Sequence, residues 1–340
     1  APARAGLATG CTPAAMGRHF DAADPYDGAL PSWHHAVRAA GHAVVSIGGL
    51  HFRLPPGDDH GFSEEILATC GADGGADAPA PGRDEAALRP QAGAGPGESG
   101  RTRCDRDIAS AAQVWLREEA PRQTKPWCLF VSLATPDFPL IAPPEHYYAT
   151  EPARLALPKL HAPDERPRHP FLEERARALP LAAPADEAAV RRMLAGYYGL
   201  VAFVDEQVGR VLECLLQTGL TLSTRVLYAS GHGDNAGARG LWGAATMYEE
   251  SVGVPMILAG HAVPPRTVVA TPVSLLDVFP TVLDTLGIDA PAPAGTASLV
   301  AIAHGSRPKR EVIAEYHAPG PRGAAFMLRD ERWKYVRYVD

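Results

Sequence analysis

The sequence lacks most of the features that sort a chain of this size into a functional class at sight. No apolar run is long enough to cross a bilayer, so a membrane-spanning helix is not expected. No cluster of Lys or Arg stands out, and the net charge is −7 with a pI near 6.0. The basic face that nucleic-acid binders carry is therefore missing, and no nucleic-acid partner is expected. The five cysteines, Cys11, Cys70, Cys104, Cys128 and Cys214, contain no CxxC pair, which predicts neither a disulfide framework nor a zinc site. The opening residues, APARAGLATGCTPAAMGRH, have neither the charged start nor the greasy centre of a signal peptide. The chain as given reads as cytoplasmic, although it begins without Met, which leaves room for an upstream segment with its own targeting information. No internal repeat is visible.

What is present suits a large α/β core: 340 residues, 46% of them hydrophobic. Residues 43–47 (AVVSI) and 127–133 (WCLFVSL) read as strands, the second as a parallel strand covered on both faces. Helices are expected over residues 31–40, from Asp107 onward, and from Asp186, a plausible N-cap, to Gly219. Residues 275–286 read as a further helix, and residues 312–316, 324–328 and 333–338 as strands of a small antiparallel subdomain. His34 and His35 read as an exposed helix face. Between Gly71 and Gly100 the chain is dominated by Ala, Gly, Pro, Asp and Arg, which predicts a mobile surface insertion, open to trypsin at Arg83, Arg89 and Arg101. The organising stretch begins at Arg225. A short apolar strand, 225–229, delivers the Gly-punctuated loop SGHGDN (230–235), which puts a His and an Asp beyond a strand end, where α/β sheets gather their ligands. Ordinary turn chemistry accounts for such a loop equally well.

The wording around that loop carries a resemblance. SGHGD (230–234), GLWGA (240–244), MYEES (247–251) and VP (254–255), with GGLHFR (48–53), ATPDFP (134–139) and an opening APAR followed by TG, resemble the sulfatase branch of the alkaline phosphatase superfamily. Its choline-sulfatase-like and phosphonate-monoesterase-like members are the most similar. The resemblance implies an α/β/α sandwich with a mixed, mostly parallel central sheet, over residues 1–310, followed at 311–340 by the start of a small C-terminal β subdomain. It implies sulfuric ester hydrolysis, a divalent metal (calcium, magnesium or manganese), and a small sulfate or phosphonate ester as substrate. Arg4 takes the place of the arginine of the nucleophile motif, which sets the nucleophile one residue before Ala1, with the first strand and paired metal-binding aspartates further upstream. His51 is kept as a substrate-facing histidine and His232 as a metal ligand. Gly49 and Ala244 stand where the family has lysine, Asp137 where it has histidine, and Gly231 where it has a metal-binding aspartate. Asp234 and Asn235 could rebuild a metal site only in a shifted register. The resemblance thus implies a sulfatase frame with weakened chemistry, metal binding that is weak or absent, and two readings: an impaired sulfuric ester hydrolase, or a catalytically silent homologue acting as a binding or scaffold protein.

Overall fold

The computed structural model describes residues 2–20, 24–53, 58–69, 93–178, 186–306, 310–317 and 323–339. In chain order the elements are α1 (Pro2–Thr9), α2 (Pro13–Met16), α3 (Trp33–Ala39), β1 (Ala43–Gly48), β2 (Glu64–Ile66), β3 (Gly95–Pro96), α4 (Gly100–Glu118), β4 (Trp127–Ser132), β5 (Ile141–Ala142) and α5 (Pro144–Ala149). They continue with α6 (Pro170–Ala178), α7 (Glu187–Gln217), β6 (Arg225–Ala229), α8 (Glu249–Val252), β7 (Met256–Gly260), α9 (Val278–Leu286), α10 (Leu299–Ala303), β8 (Val312–His317), β9 (Ala324–Arg329) and β10 (Lys334–Val339).

Strand β1 is the middle of the main sheet. It pairs in parallel with β2 and with β4, Val45 facing Glu64 on one side and Leu129 on the other. Alternation along β1 sends successive side chains to opposite faces. Val44 joins Ala5, Ala8, Trp33, Val37, Phe279 and Leu283 from α1, α3 and α9. Val45 and Ile47 join Ile108, Ala112, Trp115, Leu116, Cys214 and Leu215 from α4 and α7. These three strand residues are 3% exposed or less, so each contributes about 1.5–3 kcal/mol of apolar burial. The result is the α/β/α sandwich expected from the sequence. A separate antiparallel sheet, β10-β9-β8, follows it.

Several expectations are corrected by the packing. Strand β4 is half-buried along most of its length, because among the described residues it pairs with β1 alone and its other edge has no strand beside it. Strands β6 and β7 form their own antiparallel pair. Helix α4 begins at Gly100, where Ser99 caps it in a capping box with Thr102, seven residues before the apolar periodicity becomes visible. Residues 93–100 are thereby ordered, with β3 paired to β5, while 71–92, Arg83 and Arg89 among them, lie outside the described residues. His34 is not on an exposed face: it is 1% exposed, stacked on Phe62 at 4.1 Å, with Nδ1 3.0 Å from the His60 carbonyl. His35 is half-buried and completes the capping box of α3 with Ser32. Cys104 is disulfide-bonded, against the expectation of free thiols, whereas Cys11, Cys128 and Cys214 are free. Cys70 lies outside the described residues.

Candidate functional site

The carboxyl ends of β1 and β4 come together around two glycines. Gly48 ends β1 at φ 105°, and a Cβ there would lie 2.2 Å from the Ser132 carbonyl oxygen, so no other residue fits. The carbonyl of Gly49 accepts from Arg4 Nη1 at 2.8 Å and from Ser132 Oγ at 2.7 Å. Arg4 Nη1 also donates to Ser132 Oγ at 2.7 Å. Arg4 thus enters from the first turn of α1 and ties both strand ends. Its Nε and Nη2 make no hydrogen bond among the described residues, and no carboxylate there forms an ion pair with it. Burial lowers its pKa to about 10, with Asp137 opposing and Arg101 reinforcing that shift, so it stays cationic at neutral pH. A buried guanidinium without a counter-ion is costly, and an anion would relieve it.

His51 follows two residues after Gly49, with φ 54°. Burial, then the Arg4 charge, lowers its pKa to about 4. At pH 7 it is a neutral imidazole that can hydrogen-bond a ligand but cannot add to the positive charge.

Helix α4 supplies two further groups from one face, since Arg101 and Asp105 are four residues apart. Asp105, fully buried, accepts from Ala134 N at 2.7 Å, from Thr135 N at 2.9 Å and from Thr135 Oγ1 at 2.5 Å. Arg101 Nη1 lies 3.3 Å from the Ala134 carbonyl and 3.3 Å from Asp137 Oδ2. The loop after β4 is therefore held by α4, and cis bonds precede Pro136 and Pro139 on either side of Asp137. The other Asp137 oxygen accepts from Phe138 N at 3.0 Å.

The loop after β6 is bonded mostly to itself. Asp234 Oδ1 accepts from Ala236 N at 2.6 Å and Gly243 N at 3.0 Å. Asn235 is buried, taking the Thr246 hydroxyl at 3.0 Å and donating to the Gly243 carbonyl. His232 is exposed, with Nδ1 2.9 Å from the Gly233 carbonyl. The Ala244 carbonyl accepts from Ser251 Oγ at 2.6 Å. Gly231 is exposed and has open space where a Cβ would go. Burial raises the Asp234 pKa to about 6, helped by the charge on Asp137.

The site residues read from the sequence are thus partly assembled. Arg4, His51 and Asp137 lie within each other's electrostatic reach, as do Asp137, Asp234 and His232. No direct bond joins the two sets. Arg101, Ser132 and Asp105 belong to the site and were missed. The available signal was the spacing of Arg101 and Asp105 on one helical face, hidden because the helix was read to start at Asp107.

Residues 76–288 match the sulfatase family profile, and residues 237–340 match that of the C-terminal region of N-sulphoglucosamine sulphohydrolase. The chain belongs to the sulfatase family. It is 31% identical over 359 residues to the choline-sulfatase of Rhizobium meliloti (strain 1021), covering 99% of this chain and 68% of that protein. It is 27% identical over 250 residues to the arylsulfatase K of Xenopus laevis, covering 67% of this chain and 47% of that protein. Among solved structures, the phosphonate monoester hydrolase of Silicibacter pomeroyi superposes with a TM-score of 0.79 at 22% identity, over 99% of this chain and 77% of that one. That of Agrobacterium radiobacter gives 0.74 at 23% identity, over 99% and 77%. These two likenesses carry the fold.

A divalent metal accompanies this family's chemistry. Among the described residues no group of three or more His, Cys, Asp or Glu side chains is arranged to hold an ion. His232 Nε2 and Asp234 Oδ2 are the two donors left by the bonds above, whereas calcium takes about six to eight oxygens and magnesium a near-octahedral set. The described residues of this sulfatase chain do not fit the metal, and no step is routed through one.

Proposed function

We propose that this site binds the anionic end of a small sulfate or phosphonate ester, and that the chain hydrolyses such esters slowly. The carrying observation is Arg4: a half-buried guanidinium, tied through one nitrogen to Gly49 and Ser132, with no ion-paired carboxylate among the described residues. A sulfate or phosphonate oxygen set supplies what it lacks, in a charge-assisted, bidentate form. Beside it, His51 can donate one neutral hydrogen bond.

Slow turnover follows from what the pocket offers the transition state. Charge building on the oxygens of the transferring group needs preorganised cations and donors, and losing one such donor typically costs about 10²–10³ in kcat. Gly49 and Ala244 carry no cation, Asp137 is a carboxylate, and Gly231 contributes no metal-ligating oxygen. Such losses are non-additive, yet a partial sum leaves little rate. The test compares the full-length protein with and without Gly49→Lys, Asp137→His, Gly231→Asp and Ala244→Lys, assayed on p-nitrophenyl sulfate and a phosphonate monoester. The fourfold variant should be at least about 100-fold faster. Equal rates would show an ordinary hydrolase and end the slow-turnover reading. The second reading, a silent homologue that binds or scaffolds, rests on the same four positions and requires no turnover in either protein with ester binding retained.

For location, no helix among the described residues is long and apolar enough to cross a membrane. The disulfide at Cys104 favours an oxidising compartment over a cytoplasmic one. Thiol counting on protein purified without reductant checks this: a Cys104 that alkylates freely restores the cytoplasmic reading.

A further inference from the structure

Arg101 and Asp137 do more than brace a loop. Arg101 spends only Nη1 on its two 3.3 Å contacts, to the Ala134 carbonyl and to Asp137 Oδ2. Its Nε and Nη2 make no hydrogen bond among the described residues, so three of its five N–H donors are unspent. Its side chain is 17% exposed, and that of Asp137 is 41% exposed. The loop they share follows Ser132, the last residue of β4, which is bonded to Arg4, and Asp105 fixes the start of that loop through three hydrogen bonds. Arg4 and Arg101 therefore flank one short loop from its two ends, within each other's field and that of His51. An anion held by Arg4 therefore lies within the field of the Arg101–Asp137 pair.

The pair's chemistry is asymmetric. Its donors are available to a ligand oxygen, but its net charge is zero, because Asp137 cancels the guanidinium. Among the described residues, the guanidinium of this half of the site left without an ion pair is then that of Arg4, which balances one negative charge. Asp234 lies within the field of Asp137 and adds no positive charge. We propose that the Arg101–Asp137 pair is a charge-selective element: it hydrogen-bonds the outer oxygens of a bound ester while disfavouring doubly charged ligands, so that the pocket takes monoanions, sulfate monoesters and phosphonate monoesters, over dianionic phosphate monoesters. Asp137 is the specificity-determining residue and Arg101 the ligand-binding one. This rests on the anion-binding reading of the pocket, and it needs no turnover.

The experiment compares phenyl sulfate, a monoanion, with phenyl phosphate, whose second ionisation near pH 6 makes it a dianion at pH 8. Affinities are measured by calorimetry at pH 8 on the full-length protein, with thermal melting as the folding control. The unaltered protein should bind phenyl sulfate at least tenfold more tightly. Asp137→Asn should improve phenyl phosphate binding at least tenfold more than phenyl sulfate binding, narrowing or reversing that ratio. Arg101→Gln should weaken both ligands, and Arg101→Lys should keep part of the phenyl sulfate affinity, which a role confined to bracing the loop would not produce. A ratio unmoved by Asp137→Asn overturns the charge filter while leaving the anion pocket standing. Phenyl sulfate binding untouched by Arg101→Gln overturns the role of Arg101. Binding of neither ligand by the unaltered protein sinks the anion pocket itself, and this inference with it.

Discussion

The two halves of the candidate site are built differently. Around β1 and β4, the bonds run between residues far apart in sequence: Arg4 to Gly49 and Ser132, Asp105 to Ala134 and Thr135, Arg101 to Asp137. Around the loop after β6, many bonds are short-range: Ser230 to His232, Asp234 to Ala236 and Gly243, His232 to Gly233. Long-range bonds hold a geometry against thermal motion only because several elements agree on it, and here they leave Nε and Nη2 of Arg4 and Arg101 without a hydrogen bond among the described residues. Local bonds satisfy a loop and leave little over. On the reading proposed above, the first half is an anion grip, and the second a self-satisfied turn that carries the residue types of a metal site without its number of ligands.

The sharpest way to break this contrast is to remove the grip's one uncompensated charge. Arg4→Met keeps much of the side-chain volume and deletes the guanidinium. Losing one partner of a buried, hydrogen-bonded charge pair costs about 2–5 kcal/mol, so phenyl sulfate affinity should fall by at least about 30-fold, measured by calorimetry. Affinity within a factor of two of the unaltered protein would show that the grip lies elsewhere.

Much of the frame was legible beforehand because its signals are local. Asp186 caps α7 as its position suggested, accepting from Ala188 N and Ala189 N, and Gly219 follows its end at φ 74°. The three C-terminal strands pair in the expected antiparallel sheet. What stayed hidden depends on tertiary context. His34 is buried because Phe62, distant in sequence, stacks on it. Strand β4 is apolar enough for two covered faces, yet how far it is covered depends on which neighbours flank it. Arg101 sits in a Ser-capped first turn that follows an Ala- and Gly-rich stretch, and composition averaged over that stretch conceals the cap. Motif words point to Arg4 and His51, whereas Arg101 and Asp105 come beside the loop after β4 only through packing, which no local pattern shows.

A smaller effect is expected in the second half, at Asp234. Its pKa is raised to about 6, mainly by burial, from the ordinary aspartate value of 3.8. The folded state therefore holds this proton more tightly than the unfolded chain, and stability falls as pH rises from about 4 to about 6. Above that range the full cost is present, at about 1.4 kcal/mol per pH unit, or up to about 3 kcal/mol. Asp234→Asn keeps the Oδ1 acceptor for Ala236 and Gly243, so it should stabilise the protein at pH 8 by up to about 3 kcal/mol and leave it nearly unchanged at pH 4. Urea unfolding at the two pH values reads this directly. An equal effect at both, or none at pH 8, would mean that the charge on Asp234 is compensated in the folded protein.

The smallest effect sharpens the contrast from within the grip. His51 has its pKa lowered to about 4, chiefly by burial and next by Arg4. With a folded value below the unfolded one, the imidazole stays neutral in the folded chain. Its contribution to stability is present above about pH 6.5 and is lost as pH falls through about 4. An anion seated on Arg4 opposes the second cause while leaving the first, so it should raise the His51 pKa by about one pH unit, equivalent to about 1.4 kcal/mol. The C2 proton of His51, followed by NMR between pH 3 and pH 8 with and without phenyl sulfate, gives both values. His232, exposed on the loop after β6 and distant from Arg4 in the bonding pattern, serves as the internal control and should shift far less. If the two histidines shift alike, the anion is bound diffusely and the distinction between the two halves fails. If His51 alone moves, and stops moving in Arg4→Met, the ligand sits on the grip.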